Sequence, residues 1–144
     1  MDLLPITGED EALIAQATAT LAKYYRPGKH HVGAAIRTKT GKIFSAVHLE
    51  ANVGRVAVCA EAIALGKAIS EGESAFDTIV AVRRPAGATS DTAIAVVSPC
   101  GMCRELLSDY GPDLRVIFVE DGLIRKTTIL ALLPGKYTRG AAEA

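Results

Sequence analysis

The sequence predicts one α/β domain over residues 1–144, a three-layer αβα sandwich on a mixed five-stranded sheet, with a short tail from about 138 to 144. Three observations predict it. Segments of helical period interleave with short apolar runs in the order α-β-β-α-β-α-β-β-α, and helices so interleaved cover both faces of one sheet. "KTGK" at 39–42 and Asp121-Gly122 are tight-turn signals that fold strands back antiparallel. "FDTIVAV" at 76–82 and "LRVIFVE" at 114–120 are apolar runs of the kind buried on both sides.

Each element has its own signal. Leu13, Ile14, Ala17, Leu21 and Tyr24 recur at helical spacing and predict a helix over 9–25, broken by "RPGK". Residues 31–38 read as a strand, and "KIFSAVHLE" at 42–50 as its hairpin partner. After the loop "EANVGR", "VAVCAEAIALGKAISEG" reads as a second helix from Val56, closed by Gly72. The strand at 76–82 is followed by the loop "RRPAGATSD". "TAIAVVS" forms a short strand before "GMCRELLSDYG", a third helix ended by Gly111 and Pro112. The strand at 114–120 turns at Asp121-Gly122 into a last short strand near Leu123–Lys126, and "TTILALL" is a final helical turn or two before Pro134.

Composition narrows the function classes. A chain of this length buries roughly 68–70% of its unfolded surface and needs no staples. Sixteen basic residues balance sixteen acidic ones with no Lys/Arg block, so no electrostatic footprint for nucleic acid is present. No apolar stretch has membrane-spanning character. The acidic start "MDLLPITGEDEALIAQ" is unlike a signal peptide, and three cysteines are an odd number for a disulfide framework, so a cytoplasmic protein is expected. The mean hydropathy of +0.24 leaves apolar surface for a subunit interface.

Cys100 and Cys103 stand three apart at a helix start, on one helix face. The unpaired N–H groups and partial positive charge there favour thiolates, the form that binds metals and attacks disulfides. A redox couple, half of a structural zinc clip and part of a catalytic metal site all use this physics. Cys59, also expected at a helix start, favours a metal: three thiolates with an open fourth position describe catalytic zinc. His30, His31 and His48 lie in or beside the hairpin strands, outside close ligand spacing, and read by default as packing residues. Glu61 is the one charged residue from Val56 to Gly66, two positions from Cys59. A carboxyl in apolar surroundings has a raised pKa and suits proton transfer with a metal's water.

"CAE" at 59–61 and "PCGMC" at 99–103 resemble the two signatures of the zinc-dependent cytidine deaminase superfamily. "VGAAI" at 32–36 and "LLPGKY" at 132–137 extend the resemblance from about Leu13 to about Tyr137. It implies a cytidine deaminase-like fold with Zn2+ held by Cys59, Cys100 and Cys103, and water at the fourth position. Glu61 would move protons among water, ring nitrogen and departing ammonia. The Ala60 N–H and the Ser98 carbonyl would hold the ring and leaving group, and the assembly would be a homotetramer, with a homodimer as fallback.

The chain also departs from that pattern. His48-Leu49-Glu50 stands where free cytidine deaminases carry Asn-x-Glu for the ribose hydroxyls; strand alternation puts His48 and Glu50 on one face, roughly 7 Å apart. His30-His31 replaces an aromatic that stacks on the base. Ala62 replaces an Arg that offsets thiolate charge, with Arg104 and Arg55 as nearby cations. Tyr137 replaces a Phe that reaches a neighbouring subunit's site. Some of these changes resemble the blasticidin-S deaminase branch, which also lacks that Arg and ends in a similar "LLP…Y".

The expected function is thus zinc-dependent hydrolytic deamination of a small cytosine nucleoside, cytidine or deoxycytidine, as in pyrimidine salvage. The rivals are a deaminase of another amino heterocycle or nucleoside antibiotic, a non-catalytic zinc-stabilised binding module, and a thioredoxin-like redox protein that leaves Cys59 idle.

Overall fold

A computed structural model of the chain describes residues 1–140; of the tail expected at about 138–144, residues 141–144 lie outside the described residues. The described elements run α1 (Gly8–Tyr24), β1 (Val32–Thr38), β2 (Ile43–Val47), α2 (Ala60–Ser70), β3 (Phe76–Arg83), β4 (Ala95–Val97), α3 (Gly101–Tyr110), β5 (Arg115–Glu120) and β6 (Leu123–Thr128). The sheet order is β2-β1-β3-β5-β6, with β3 and β5 parallel and the other neighbours antiparallel. Short β4 pairs with the end of β3 (Val82 opposite Val96), on the same edge that carries β5 at Thr78–Val80. The sheet is therefore five strands wide, as expected, and six in number.

Alternation along β3 builds the three layers. Val80 and Val82 face α1, where Leu13, Ala17 and Leu21 are fully buried with Ala35 and Ile117. Ile79 and Ala81 face α2 and α3, packing with Ala34, Ile36, Ala64, Leu65, Leu107, Val116 and Phe118. Each large side chain buried this way contributes about 1.5–3 kcal/mol. A Cβ at Gly33 would lie 2.9 Å from the Leu21 Cβ and 3.1 Å from the Ala17 carbonyl oxygen, so α1 approaches β1 closely only because residue 33 is glycine. No helix among the described residues is long and apolar enough to cross a membrane.

Three boundaries differ from expectation. β2 ends at Val47 rather than Glu50, because Leu49 leaves β1 and exchanges two backbone hydrogen bonds with Val58, both 2.9 Å. That bridge holds Val58 extended, so α2 starts at Ala60 instead of Val56, after a single 3-10 turn at Gly54–Val56. β6 extends to Thr128, since β-branched Thr127 and Thr128 pair with Val116 and Arg115; only Ile129–Leu132 remains helical, as 3-10.

The helix α1 is tied to the sheet by a buried acid. Thr7 and Asp10 form a capping box, and Asp10, fully buried, also accepts from Lys126 Nζ at 2.7 Å and Arg37 Nη2 at 3.0 Å. Burial alone would raise its pKa; the bonds from Lys126, Thr7 and Arg37 overcome this and hold it at about 2. A lowered acid stabilises the fold above its unfolded pKa and loses that contribution as pH falls through the folded value. Stability is thus expected to drop by about 2 kcal/mol as pH falls from about 4 towards 2. Urea midpoints at pH 7 and pH 3 test this, with a flatter dependence expected in Asp10→Asn.

Candidate active site

Two helix starts meet at the end of the sheet where β3 finishes. Cys59 is the N-cap residue of α2 and Cys100 that of α3, both extended, and neither makes a side-chain cap bond, which leaves their sulfurs free for other work. Cys103, one turn into α3, is buried at 2% exposure. The three Sγ atoms lie within 4.8 Å of one another, and Cys59 Sγ is 3.7 Å from Cys100 Sγ. Zinc–sulfur bonds of about 2.3 Å in a tetrahedron set sulfurs about 3.8 Å apart, so the donor set fits zinc. Burial, with neighbouring negative groups, pushes the Cys103 and Cys59 thiols up. Cys100 moves down despite its burial, through bonds with Cys103, Cys59 and Met102. Three sulfurs this close cannot all ionise without a cation among them.

A cavity of about 180 Å³ opens beside the cluster, lined by Val32, His48, Cys59, Ala60, Glu61, Val97, Ser98 and Cys100. Glu61, 5% exposed, sits in the first turn of α2, and burial raises its pKa against bonds from its own N–H and Cys103. Ala60 is the first residue of α2, so its N–H belongs to the unpaired set of a helix start. The Ser98 hydroxyl donates to the Val119 carbonyl at 3.0 Å and accepts from the Val119 N–H at 3.1 Å, which pins the segment entering Cys100 to β5.

The residues expected from sequence divide accordingly. Cys59, Ala60, Glu61, Ser98, Cys100 and His48 line one cavity, with Cys103 buried against it. Glu50 stands just outside the lining, its Oε2 3.6 Å from His48 Nε2. His30 bonds through Nδ1 to the His48 carbonyl oxygen at 2.7 Å, so it supports His48 from behind the main chain. Tyr137 is 74% exposed and lies elsewhere, on a groove with Glu105, Leu106, Asp109 and Tyr110, where Lys136 pairs with Glu105 and Asp109. Arg104 donates to the carbonyls of Pro99 and Leu132, fastening the C-terminal segment to the start of α3. The starts of α2 and α3 bring partial positive charge to the thiols. Val32 and Val97 were invisible as site residues, because nothing in an apolar strand residue marks it as a cavity wall.

Comparison with known proteins agrees with this arrangement. The family model described as "Cytidine and deoxycytidylate deaminase zinc-binding region" matches residues 7–120. A blasticidin-S deaminase of Bacillus cereus is 58% identical over 139 residues, covering 96% of this chain and 99% of the relative. A cytidine deaminase of Sporosarcina psychrophila is 30% identical over 132 residues, covering 90% and 91%. The crystal structure of cytidine deaminase from Burkholderia pseudomallei superposes with a TM-score of 0.71 at 32% identity, covering 88% of this chain and 98% of that one. With two helix starts, three clustered sulfurs and a buried glutamate in the matched region, the chain belongs to the zinc-dependent cytidine and deoxycytidylate deaminase family.

Proposed function

We propose that the chain deaminates a cytosine nucleoside hydrolytically, with Cys59, Cys100 and Cys103 holding zinc and Glu61 as the catalytic residue. The observation that carries the reading is a buried carboxyl and three sulfurs around one small cavity. Zinc bound there supplies the Lewis acidity that activates water. Glu61 accepts a proton from the attacking water and gives it to the ring nitrogen beside the amino-bearing carbon. It later carries a second proton to the leaving amine, so that ammonia departs and a ring carbonyl remains. The Ala60 N–H and the Ser98 main chain orient the ring, and Val32 and Val97 exclude bulk water from it.

Between substrates, the 58% identity to a blasticidin-S deaminase over nearly both chains favours the nucleoside antibiotic over cytidine and deoxycytidine. His48 at the Asn position and Ala62 at the Arg position support the same choice. Ammonia release from cytidine, deoxycytidine and blasticidin S, with Glu61→Ala as the blank, tests the reading. Turnover of blasticidin S alone is the expected extreme, and no ammonia from any of them would overturn the proposal. The reading extends to a single cytoplasmic domain acting on small molecules and assembling as a homotetramer, or else a dimer. Exposed Ile43, Leu49, Val53, Val56 and Val58 around β2 support an interface, and light scattering checks it.

A further inference from the structure

No Lys/Arg block stands in the sequence, yet the fold assembles one from two separate stretches. Residues 26–31 lead into β1 and residues 83–84 leave β3. Antiparallel pairing of those strands sets the stretches side by side, with the Arg84 N–H donating to the His31 carbonyl at 2.9 Å. A cavity of about 290 Å³ opens between them, lined by Tyr25, His31, Arg83, Arg84 and two tight turns. It shares no lining residue with the cavity beside the cysteines, although the His31 ring packs 4.2 Å from that of His48.

The cations there have different duties. Arg84 builds the wall: its guanidinium lies 4.1 Å from the centroid of the Tyr25 ring, Nη1 donates to Asp91 at 2.7 Å and Nη2 to the Ala88 carbonyl at 3.1 Å. Arg83, the last residue of β3, is exposed, and its side chain has no hydrogen bond or ion pair among the described residues. Arg26 and Lys29, exposed on the turn before β1, have no side-chain partner either. The C-terminal end of α1 at Tyr24 favours one positive charge nearby, and Asp91 accounts for Arg84. Positive charge is left over that the fold does not use, in a chain of net charge zero.

Both turns add donors. The Lys29 N–H bonds to the Arg26 carbonyl and the Ala88 N–H to the Pro85 carbonyl, around Gly28 at φ 71° and Gly87 at φ 80°, which is type II geometry. The N–H groups of Gly28, Ala86 and Gly87 have no protein partner among the described residues. Uncommitted cations and N–H groups around one concave surface are the parts of an oxyanion site.

We propose that this cavity is a second ligand site, which binds a phosphate group, free or carried on a small molecule, with Arg83 as its principal contact and Arg26 and Lys29 beside it. A phosphate suits several cations and N–H groups better than a carboxylate does, because it brings more charge and three acceptor oxygens. The volume stands at the small end of the roughly 300–1,000 Å³ typical of ligand sites, which fits a sugar phosphate rather than a dinucleotide. The proposal does not depend on the deaminase reading.

Calorimetry and amide NMR of the zinc-loaded protein, titrated with inorganic phosphate, ribose 5-phosphate, ribose and acetate, test it. At least one of the two phosphates is expected to bind with a dissociation constant below about 1 mM, acetate at least about tenfold more weakly, and ribose not at all. The tighter of the two phosphates identifies whether the group is bound free or as an ester. Arg83→Gln is expected to weaken binding roughly tenfold or more and Arg83→Lys less, since lysine keeps the charge but loses the fork. Lys29→Gln is expected to weaken it about threefold. Both Gln variants keep their zinc and melting temperature, because the replaced side chains are exposed and unpaired. Amide shifts are expected at residues 25–31 and 83–88. Shifts confined to residues 59–61 and 98–103 would place the anion on the zinc and overturn the proposal. So would the absence of saturable binding below about 10 mM, or binding unchanged in both Arg83→Gln and Lys29→Gln.

Discussion

Glu61→Gln is expected to lower kcat by roughly 10³-fold or more while the protein keeps one equivalent of zinc. The amide matches the carboxylate in shape, so α2 and the cavity walls persist, but it cannot accept and return a proton. General acid–base groups contribute about 10²–10⁴-fold, and Glu61 is proposed to act in several proton transfers of one cycle, which places the loss at the upper end. Burial beside a cavity walled by Val32 and Val97 holds its pKa above the ordinary carboxyl value, which favours proton transfer. KM should move far less than kcat, because the proposed ring orientation uses main-chain groups at residues 60 and 98. Steady-state kinetics with metal analysis on the same sample check it. A variant retaining more than a tenth of wild-type kcat would show that the proton route lies elsewhere.

Cys103→Ala is expected to abolish both zinc binding and activity, and to lower thermal stability by as much as chelation lowers that of the wild type. Two sulfurs cannot complete a zinc site that needs three protein ligands and an open position. Cys103 is also the buried member of the set, lying in the core beside Leu107, so its loss both removes a ligand and opens a small gap. A ligand present at 1,000 times its dissociation constant stabilises the native state by about 4 kcal/mol, which is the order of the stability at stake. The melting temperature of the variant should not respond to chelator, whereas that of the wild type should fall. Zinc retained at one equivalent in Cys103→Ala would exclude this residue as a ligand.

Much of the site was legible because its chemistry is local. Cys-Ala-Glu and Pro-Cys-x-x-Cys each open a helix, so the N-cap positions of Cys59 and Cys100 and the first-turn place of Glu61 are set within a few residues. Residues at the hairpin end were harder to place. Strand alternation correctly put His48 and Glu50 on one side, but it could not show that β2 ends at Val47, nor that His48 would be buried. Tyr137, expected to reach a neighbouring subunit's site, lies away from this chain's own cavity, where Lys136 and Arg104 draw the C-terminal segment to α3. Nothing local to Asp10 in the sequence marks it for burial. Its burial depends on Lys126, 116 positions away.

By itself, then, the sequence determined the α/β class, the order of the elements, the two hairpins and the helix-start positions of the cysteines and Glu61 that gather at the candidate site. Periodicity, turn chemistry and helix-start motifs act over a few residues and are written locally. Only the tertiary structure decided where β2 and α2 begin and end, that β4 shares the edge of β3 with β5, and that His48 is buried against the cavity. Those outcomes rest on the Leu49–Val58 bridge, the Val82–Val96 pairing and the N–H groups of residues 31 and 32 that meet the His48 ring. Contacts between distant backbone groups depend on how the layers stack, and backbone groups are the same in every residue, so they leave no mark in the side-chain pattern.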